Sequence, residues 1–326
     1  VKNKKIIALS ISDIHIHKWK SHNEGMKRTK DTMKILQYVS NKAEELSVPV
    51  LCPGDLFHGE VGPILLSFVE DHWPSYFREN FFAISGNHDQ EEKSFVDSQQ
   101  PSMVTYFHKK GLLQCLDFEY RVLPDFFTYG IPYLTYNKGL LQAIENLAVS
   151  TSDNYYKILM IHTDLYGAKE SDGREVGTVE GLPRDMGKLF EPFDLVLCGH
   201  IHKPQEIIPG KVIMVGAPQQ QRKSDADGEF GYWEIYSDFS YKFVPLDWPS
   251  KFMFYNEGDI PGDDYNYWIM NRAEGVGVVD EDTLEFSSKS STTHLAKAFL
   301  TATGEKRYSY KKALINTLKE ADDDTF

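Results

Sequence analysis

The strongest constraint on this chain is a repeated juxtaposition: an apolar run that reads as a buried strand, followed at once by residues that ligate metals. Ile6-Ile7-Ala8-Leu9 leads to Ser12-Asp13-Ile14-His15, and Pro49-Val50-Leu51-Cys52 leads to Gly54-Asp55-Leu56-Phe57-His58. Phe81-Phe82-Ala83-Ile84-Ser85 leads to Gly86-Asn87-His88-Asp89, Ile158-Leu159-Met160 to Ile161-His162, and Leu195-Val196-Leu197-Cys198 to Gly199-His200-Ile201-His202. Short apolar runs bounded by turn residues are the pattern of fully buried strands. In an open α/β sheet, sites form beyond the carboxyl ends of the strands. Five strand ends, spread over most of the chain, are therefore expected to meet at one site.

The segments between them fit strand–helix–strand units and a largely parallel sheet. Met33, Leu36, Val39, Ala43 and Leu46 stand at helical spacing and predict a helix over residues 25–46. A second helix is expected over 64–79, kinked or broken at Pro74, and further helices over 137–148 and 182–190. Gln90 to Gln100 and the glycine-rich Tyr166 to Glu180 read as loops. After His202, four short runs (206–208, 212–216, 231–236 and 241–246) suggest an antiparallel second sheet. Trp248-Pro249 marks an expected boundary, giving a main domain at 1–248 and a minimal cap or linker at 249–286. Residues 287–326 then hold a Ser/Thr-rich linker and an amphipathic helix, Tyr308 to Ala321, as a partner-docking segment.

The donor set defines the chemistry. Asp13 and His15 are two apart, so on extended backbone they share a face and can hold one ion together. His200 and His202 follow the same spacing but sit on a loop, where they can serve different ions. Asp55 has two oxygens and is placed to bridge two cations; Asn87 adds a neutral oxygen and His162 another nitrogen. Mixed nitrogen and oxygen donors without thiolate suit Mn²⁺, Fe²⁺ or Zn²⁺ better than Ca²⁺. Seven ligands exceed one tetrahedral zinc and match two divalent ions roughly 3.5–4 Å apart with shared water. His88, beside Asn87 and Asp89, is the candidate acid for a leaving oxygen. A lone histidine carries little weight, but five strand ends with such residues do. His17, His22, His72, His108 and His294 lack such a setting and are read as structural or solvated, although His17 can share a face with His15.

Composition narrows the function. Forty-eight acidic against 35 basic residues give a net charge of −13, so phosphate backbones are repelled on average. Nucleic-acid binding then needs a local basic patch, a bound metal or a partner. Three cysteines, Cys52, Cys115 and Cys198, without CxxC spacing argue against a disulfide framework or thiolate zinc site and fit a reducing cytosol. Asp13 and His15 interrupt the first apolar run too early for a secretory segment, and no stretch approaches the ~20 apolar residues of a membrane span. A cytoplasmic location and no membrane partner are expected.

The pattern resembles the calcineurin-like metallophosphoesterases. Their signature runs Asp-x-His, Gly-Asp, Gly-Asn-His-(Asp/Glu), His and Gly-His-x-His, and every element stands in order between residues 13 and 202. The resemblance implies an α/β fold: a two-sheet sandwich flanked by helices, here with a small C-terminal cap or tail. It implies that Asp13, His15, Asp55 and His202 hold one metal, that Asp55, Asn87, His162 and His200 hold the other, and that His88 is catalytic. The run Gly54-Asp55-Leu56-Phe57-His58 is similar to SbcD-type DNA repair nucleases, including phage relatives, in which the last histidine, here His58, assists nuclease activity. Val215-Gly216-Ala217-Pro218-Gln219-Gln220 and Gly231-Tyr232-Trp233 are similar to them as well. The Asp-Arg-Gly element of phosphoprotein phosphatases is absent. The expected function is thus metal-dependent cleavage of DNA in repair, recombination or replication, with DNA and an SMC-like ATPase as partners and a homodimer admitted. The alternative is a small-molecule phosphodiesterase or phosphatase of the same superfamily. A catalytically idle scaffold is disfavoured, because it has no need of seven ligands. The part after Trp248 is short and acidic for an SbcD-type cap.

Overall fold

The computed structural model describes residues 4–19, 24–59, 61–90, 101–135, 137–150, 156–176, 185–226, 228–256 and 266–271. In chain order the first half runs β1 (Ile6–Ser10), a 3₁₀ turn, α1 (Lys27–Leu46), β2 (Val50–Cys52), α2 (Pro63–His72), α3 (Phe77–Asn80), β3 (Phe81–Ala83), α4 (Met103–Lys109), β4 (Gln114–Cys115), β5 (Tyr120–Val122) and β6 (Phe127–Ile131). Then follow α5 (Asn137–Ser150), β7 (Lys157–His162), α6 (Met186–Leu189), β8 (Leu195–Gly199), β9 (Gln205–Ile208), β10 (Val212–Met214), β11 (Gly231–Tyr236), β12 (Tyr241–Pro245), β13 (Phe252–Asn256) and β14 (Tyr267–Asn271).

Two six-stranded sheets carry the fold. One has the order β12-β11-β1-β2-β3-β4 and the other β5-β6-β7-β8-β10-β9. Their centres are parallel: β1 with β2, β2 with β3, β6 with β7 and β7 with β8. Side chains alternate across each strand. Leu51 and Phe82 of the first sheet meet Ile158, Met160, Leu195 and Leu197 of the second in one core between the sheets. Val50, Cys52 and Phe81 turn the other way, onto Ile35, Leu36 and Val39 of α1. Leu159, Ile161, Val196 and Cys198 pack on Leu140 and Ile144 of α5. Strands covered on both faces must be apolar throughout, which is why the runs are continuous rather than alternating. The result is a two-sheet α/β sandwich flanked by helices.

The runs after His202 do not build a sheet of their own, as the sequence suggested. β10 adds parallel to β8 and β9 antiparallel to β10, while β11 adds antiparallel to β1 and β12 to β11. Ile213 and Ile235 both face the inter-sheet core, so these strands finish both sheets by burying apolar side chains there. α4 and β4 were also not read from the sequence. Pro74 separates α2 from α3, as expected. α1 ends where Ser47 turns into the left-handed region (φ 55°) and the Val48 N–H returns to Ala43 O at 3.0 Å, a Schellman-type stop.

The chain to Phe252 forms one compact unit and the chain from Met253 a second, in which β13 and β14 pair. The linker at Ser287 to Thr293, the helix expected over Tyr308 to Ala321, and His22 and His294 lie outside the described residues. No helix among the described residues is long and apolar enough to cross a membrane.

Candidate metal centre

The strand pairing continues into the motif loops. Asp13 N–H donates to Gly54 O (3.1 Å), His15 N–H to Asp55 O (3.0 Å) and Ile16 N–H to Leu56 O (2.9 Å), so the first two motifs lie side by side beyond their strands. Asp13 (φ 51°), His15 (φ 50°), Asp55 (φ 53°) and His200 (φ 105°) all adopt left-handed backbone, which is uncommon for residues other than glycine. Such strain gathers at functional sites because the surroundings over-determine it. Two glycines leave the room required. A Cβ on Gly54 would lie 2.3 Å from His162 Nδ1, and one on Gly86 would lie 2.0 Å from Asp55 Oδ1.

Asp89, which the sequence set beside His88, ties two of the motif loops together. Its buried carboxylate accepts N–H bonds from Phe57 (2.7 Å), Gly86 (2.8 Å) and Leu56 (3.3 Å), clamping the Gly-Asn-His-Asp loop to the Gly-Asp-Leu-Phe-His loop. His88 is fixed through its backbone, which donates to Asp55 Oδ1 at 2.9 Å.

These loops bring all nine candidate residues together. One group joins Asp13, His15 and His202, and another joins Asp55, His162 and His200; in each, the donor atoms lie within 4.8 Å of one another. His15 Nε2 and His202 Nε2 stand 3.0 Å apart. Asn87 Oδ1 lies 3.0 Å from His162 Nε2 and 2.9 Å from His200 Nδ1, placing it in the second group. Asp55 Oδ2 is 3.6 Å from His15 Nε2 and 3.3 Å from His162 Nε2, so one oxygen faces both groups. His200 and His202 therefore divide between the groups, as the loop reading allowed. His58 stacks on His88 with centroids 4.0 Å apart at 16°, and its Nδ1 lies 3.0 Å from His15 Nδ1.

Electrostatics in this buried cluster are tense. Burial pushes the Asp13 carboxyl up to about 7, with Asp55 beside it adding to the rise. Burial also acts to raise Asp55, but His162 first, then His15 and His88, outweigh it and hold that carboxyl well below the usual range. His162 goes the other way: burial lowers it, yet Asp55 and Asp13 bring it to about 9. His15 is lowered well below the usual imidazole range, and His202 to about 3, in both cases chiefly by burial, with Arg222 adding to the effect on His202.

The sequence reading missed several supports. His162 donates Nδ1–H to Pro53 O at 2.8 Å, which turns Nε2 inward. His200 Nε2 lies 3.4 Å from the Asp164 carboxylate, and the Tyr133 ring lies along His200 at 6.0 Å. The Gln221 amide donates to Asp13 O at 3.2 Å, and Gln221 O accepts from the buried Arg28 guanidinium at 2.7 Å. That guanidinium lies 3.4 Å over the Trp19 ring. The His17 ring lies between Trp19 (centroids 3.8 Å apart) and His58 (4.8 Å), tilted to both and nearer the site than its sequence setting indicated. His72 and His108 bond to backbone carbonyls of Phe68 and Leu113 instead.

The residues present fit divalent cations. Among the described residues, Asp13 Oδ2 and His202 Nδ1 are buried with no hydrogen-bond partner, although both belong to the first group. A buried carboxyl pushed toward neutrality, beside imidazoles pressed toward their neutral form, is a donor set that a cation would satisfy. The set is imidazole, carboxylate and amide, the chemistry of Mn²⁺, Fe²⁺ and Zn²⁺ sites.

Comparison with known proteins agrees. Residues 8–204 match the family model for calcineurin-like phosphoesterases. Among solved structures, the chain is similar to the calcineurin-like phosphoesterase YfkN from Bacillus subtilis, at 12% identity over 74% of this chain and 89% of that one, with a TM-score of 0.39. It is similar also to a putative 5'-nucleotidase from Staphylococcus aureus, at 15% identity over 64% of this chain and 48% of that one (TM-score 0.39). A phosphopantetheinyl hydrolase from Mycobacterium tuberculosis aligns at 13% identity over 67% of this chain and 92% of that one (TM-score 0.37). The family match spans well over half of the 326 residues and contains every candidate ligand, and the chain belongs to the calcineurin-like phosphoesterase family.

Proposed function

We propose that this protein is a DNA-cleaving phosphodiesterase of the SbcD type, with Mn²⁺ as its metal and an SMC-like ATPase as its partner. When bound, two divalent ions supply charge to stabilise the attacking and leaving oxygens and activate water. In this reading Asp13, His15 and His202 hold one ion, Asn87, His162 and His200 hold the other, and Asp55 faces both. His88 holds the proton for the leaving oxygen, its loop tied to Asp55 through the backbone.

The observation that carries the nuclease reading is His58. It ends the Gly-Asp-Leu-Phe-His run that resembles the nucleases, and its ring lies on His88 and against His15. A face-to-face stack holds the His88 ring in one plane while leaving its edge for substrate. The alternative, a small-molecule phosphodiesterase or phosphatase, is favoured by the net charge of −13, which repels a polyanion on average. The docking segment for the ATPase is proposed within 287–326.

The test is purified protein with Mn²⁺ on end-labelled duplex DNA, single-stranded DNA and a bis-aryl phosphodiester, side by side. Cleavage of DNA at rates at or above the small diester supports the nuclease reading. Turnover of the diester alone supports the alternative.

A further inference from the structure

An acidic chain that cleaves DNA needs cations placed where the strand passes, and the rim of the metal centre supplies a set that the catalytic chemistry does not use. Lys203 directly follows His202. The carboxamide of Gln205 then ties this segment to the loop after β7. It accepts the Lys169 N–H (2.8 Å) and donates to Lys169 O (2.8 Å) and Lys203 O (3.0 Å). The neighbouring Glu170 pairs with Arg222 Nη2 at 3.2 Å. Arg222 in turn follows Gln221, whose side chain holds Asp13 O at 3.2 Å. The circuit therefore leaves the centre at His202 and returns to it at Asp13, with Lys203, Lys169 and Arg222 along it.

The three cations are not equally engaged. Among the described residues, neither the Lys169 nor the Lys203 ammonium has an ion-pair or hydrogen-bond partner. Lys169 is exposed and Lys203 half-buried. Arg222 is a third exposed, its Nε has no hydrogen-bond partner, and the Asp225 carboxylate stands 3.9 Å from it. Among the described residues of this loop, Arg174 is taken by Asp172 at 2.6 Å. Among the described residues, the acidic groups nearby include Glu170 and Asp225 on Arg222, Asp172 on Arg174, Glu175 opposite Lys169 in a β-bridge, and the exposed Glu206.

We infer that Lys203, Lys169 and Arg222 form a binding track for the phosphates that flank the scissile one on a DNA strand. Arg222 exchanges Glu170 for a phosphate as the strand seats. A guanidinium already held by one carboxylate keeps its fork oriented, and a phosphate offers the same bidentate geometry. This inference rests on the DNA-cleaving reading.

The experiment compares wild type with Lys169→Ala/Lys203→Ala and with the same pair plus Arg222→Gln. Kinetics use an end-labelled single-stranded oligonucleotide and a bis-aryl phosphodiester, over a range of KCl. Removing one cation from the track should lower the salt slope of kcat/KM on the oligonucleotide by about 0.7, so the triple variant should fall by roughly two units. Its KM for the oligonucleotide should rise about tenfold or more, and the drop in kcat/KM should exceed that on the small diester by the same factor. The lysine pair, on the surface, keeps the test open if Arg222→Gln disturbs the fold: it should show more than about half of the slope change. If wild type cleaves the oligonucleotide and both variants show its KM and salt slope, the track is wrong and the nuclease reading stands. If wild type cleaves the diester but no DNA, both fall.

Discussion

In the Asp55–His162–His200 group each imidazole is backed by an oxygen on its far side: Pro53 O behind His162 and the Asp164 carboxylate behind His200. In the Asp13–His15–His202 group the backing differs. His15 Nδ1 faces another imidazole, His58, and His202 Nδ1 has no hydrogen-bond partner among the described residues. A carbonyl or carboxylate on the outer nitrogen fixes the tautomer and raises the basicity of the ligand, whereas an imidazole can take either role. The second group would hold an ion the more tightly. The first sits where its support, His58, also touches the catalytic candidate His88. By this asymmetry the ion held less tightly would be the one nearer His88.

The largest effect should come from His88, which lies against the first group but is in neither. His88→Ala should keep both metals and lose about 10²–10⁴-fold in kcat, the usual worth of a general acid. Steady-state kinetics with metal analysis check this; near wild-type turnover would remove His88 from the chemistry.

The convergence of the candidate residues was legible in the sequence, because each is local to a strand end and the apolar run before it names the strand. What was not legible depends on pairing between distant segments. Asp89 reads as a partner for its neighbour His88, yet its carboxylate reaches three backbone amides of the same loop and the Gly54–His58 motif. Asp164, two residues past His162, turns to a histidine of another strand, and nothing local signals that. Gln219 and Gln220 end a run that resembles the nucleases, but they and Gln221 are buried: Gln219 donates to Thr32 at 2.7 Å and Gln221 to Asp13 O at 3.2 Å, a supporting layer beneath the first loop. The assignment of β9 to β12 failed because short alternating strands carry no label for the sheet they join.

The next effect sharpens the comparison directly. Asp164→Asn should weaken the second ion by about 10–100-fold, the usual cost of losing an outer partner of a ligand histidine, and leave the first group's affinity near wild type. Competitive titration of Mn²⁺ against a chelating dye measures both. Equal weakening of the two ions would mean that Asp164 acts on the whole site.

A smaller effect is expected at His58. His58→Ala should weaken the first ion only a few-fold, as an imidazole backs His15 less firmly than a carboxylate would. It should impair cleavage of duplex ends more than of a bis-aryl phosphodiester. Equal losses on the two substrates would leave His58 with a structural role alone.

The sharing of Asp55 by both groups is the central claim, and metal content tests it most directly. Wild type loaded with Mn²⁺ and dialysed should retain about two equivalents by elemental analysis. His15→Ala should retain about one, held by the group that does not use it, and Asp55→Ala close to none. Two full equivalents retained by folded Asp55→Ala protein would contradict the shared oxygen and, with it, the arrangement of the site.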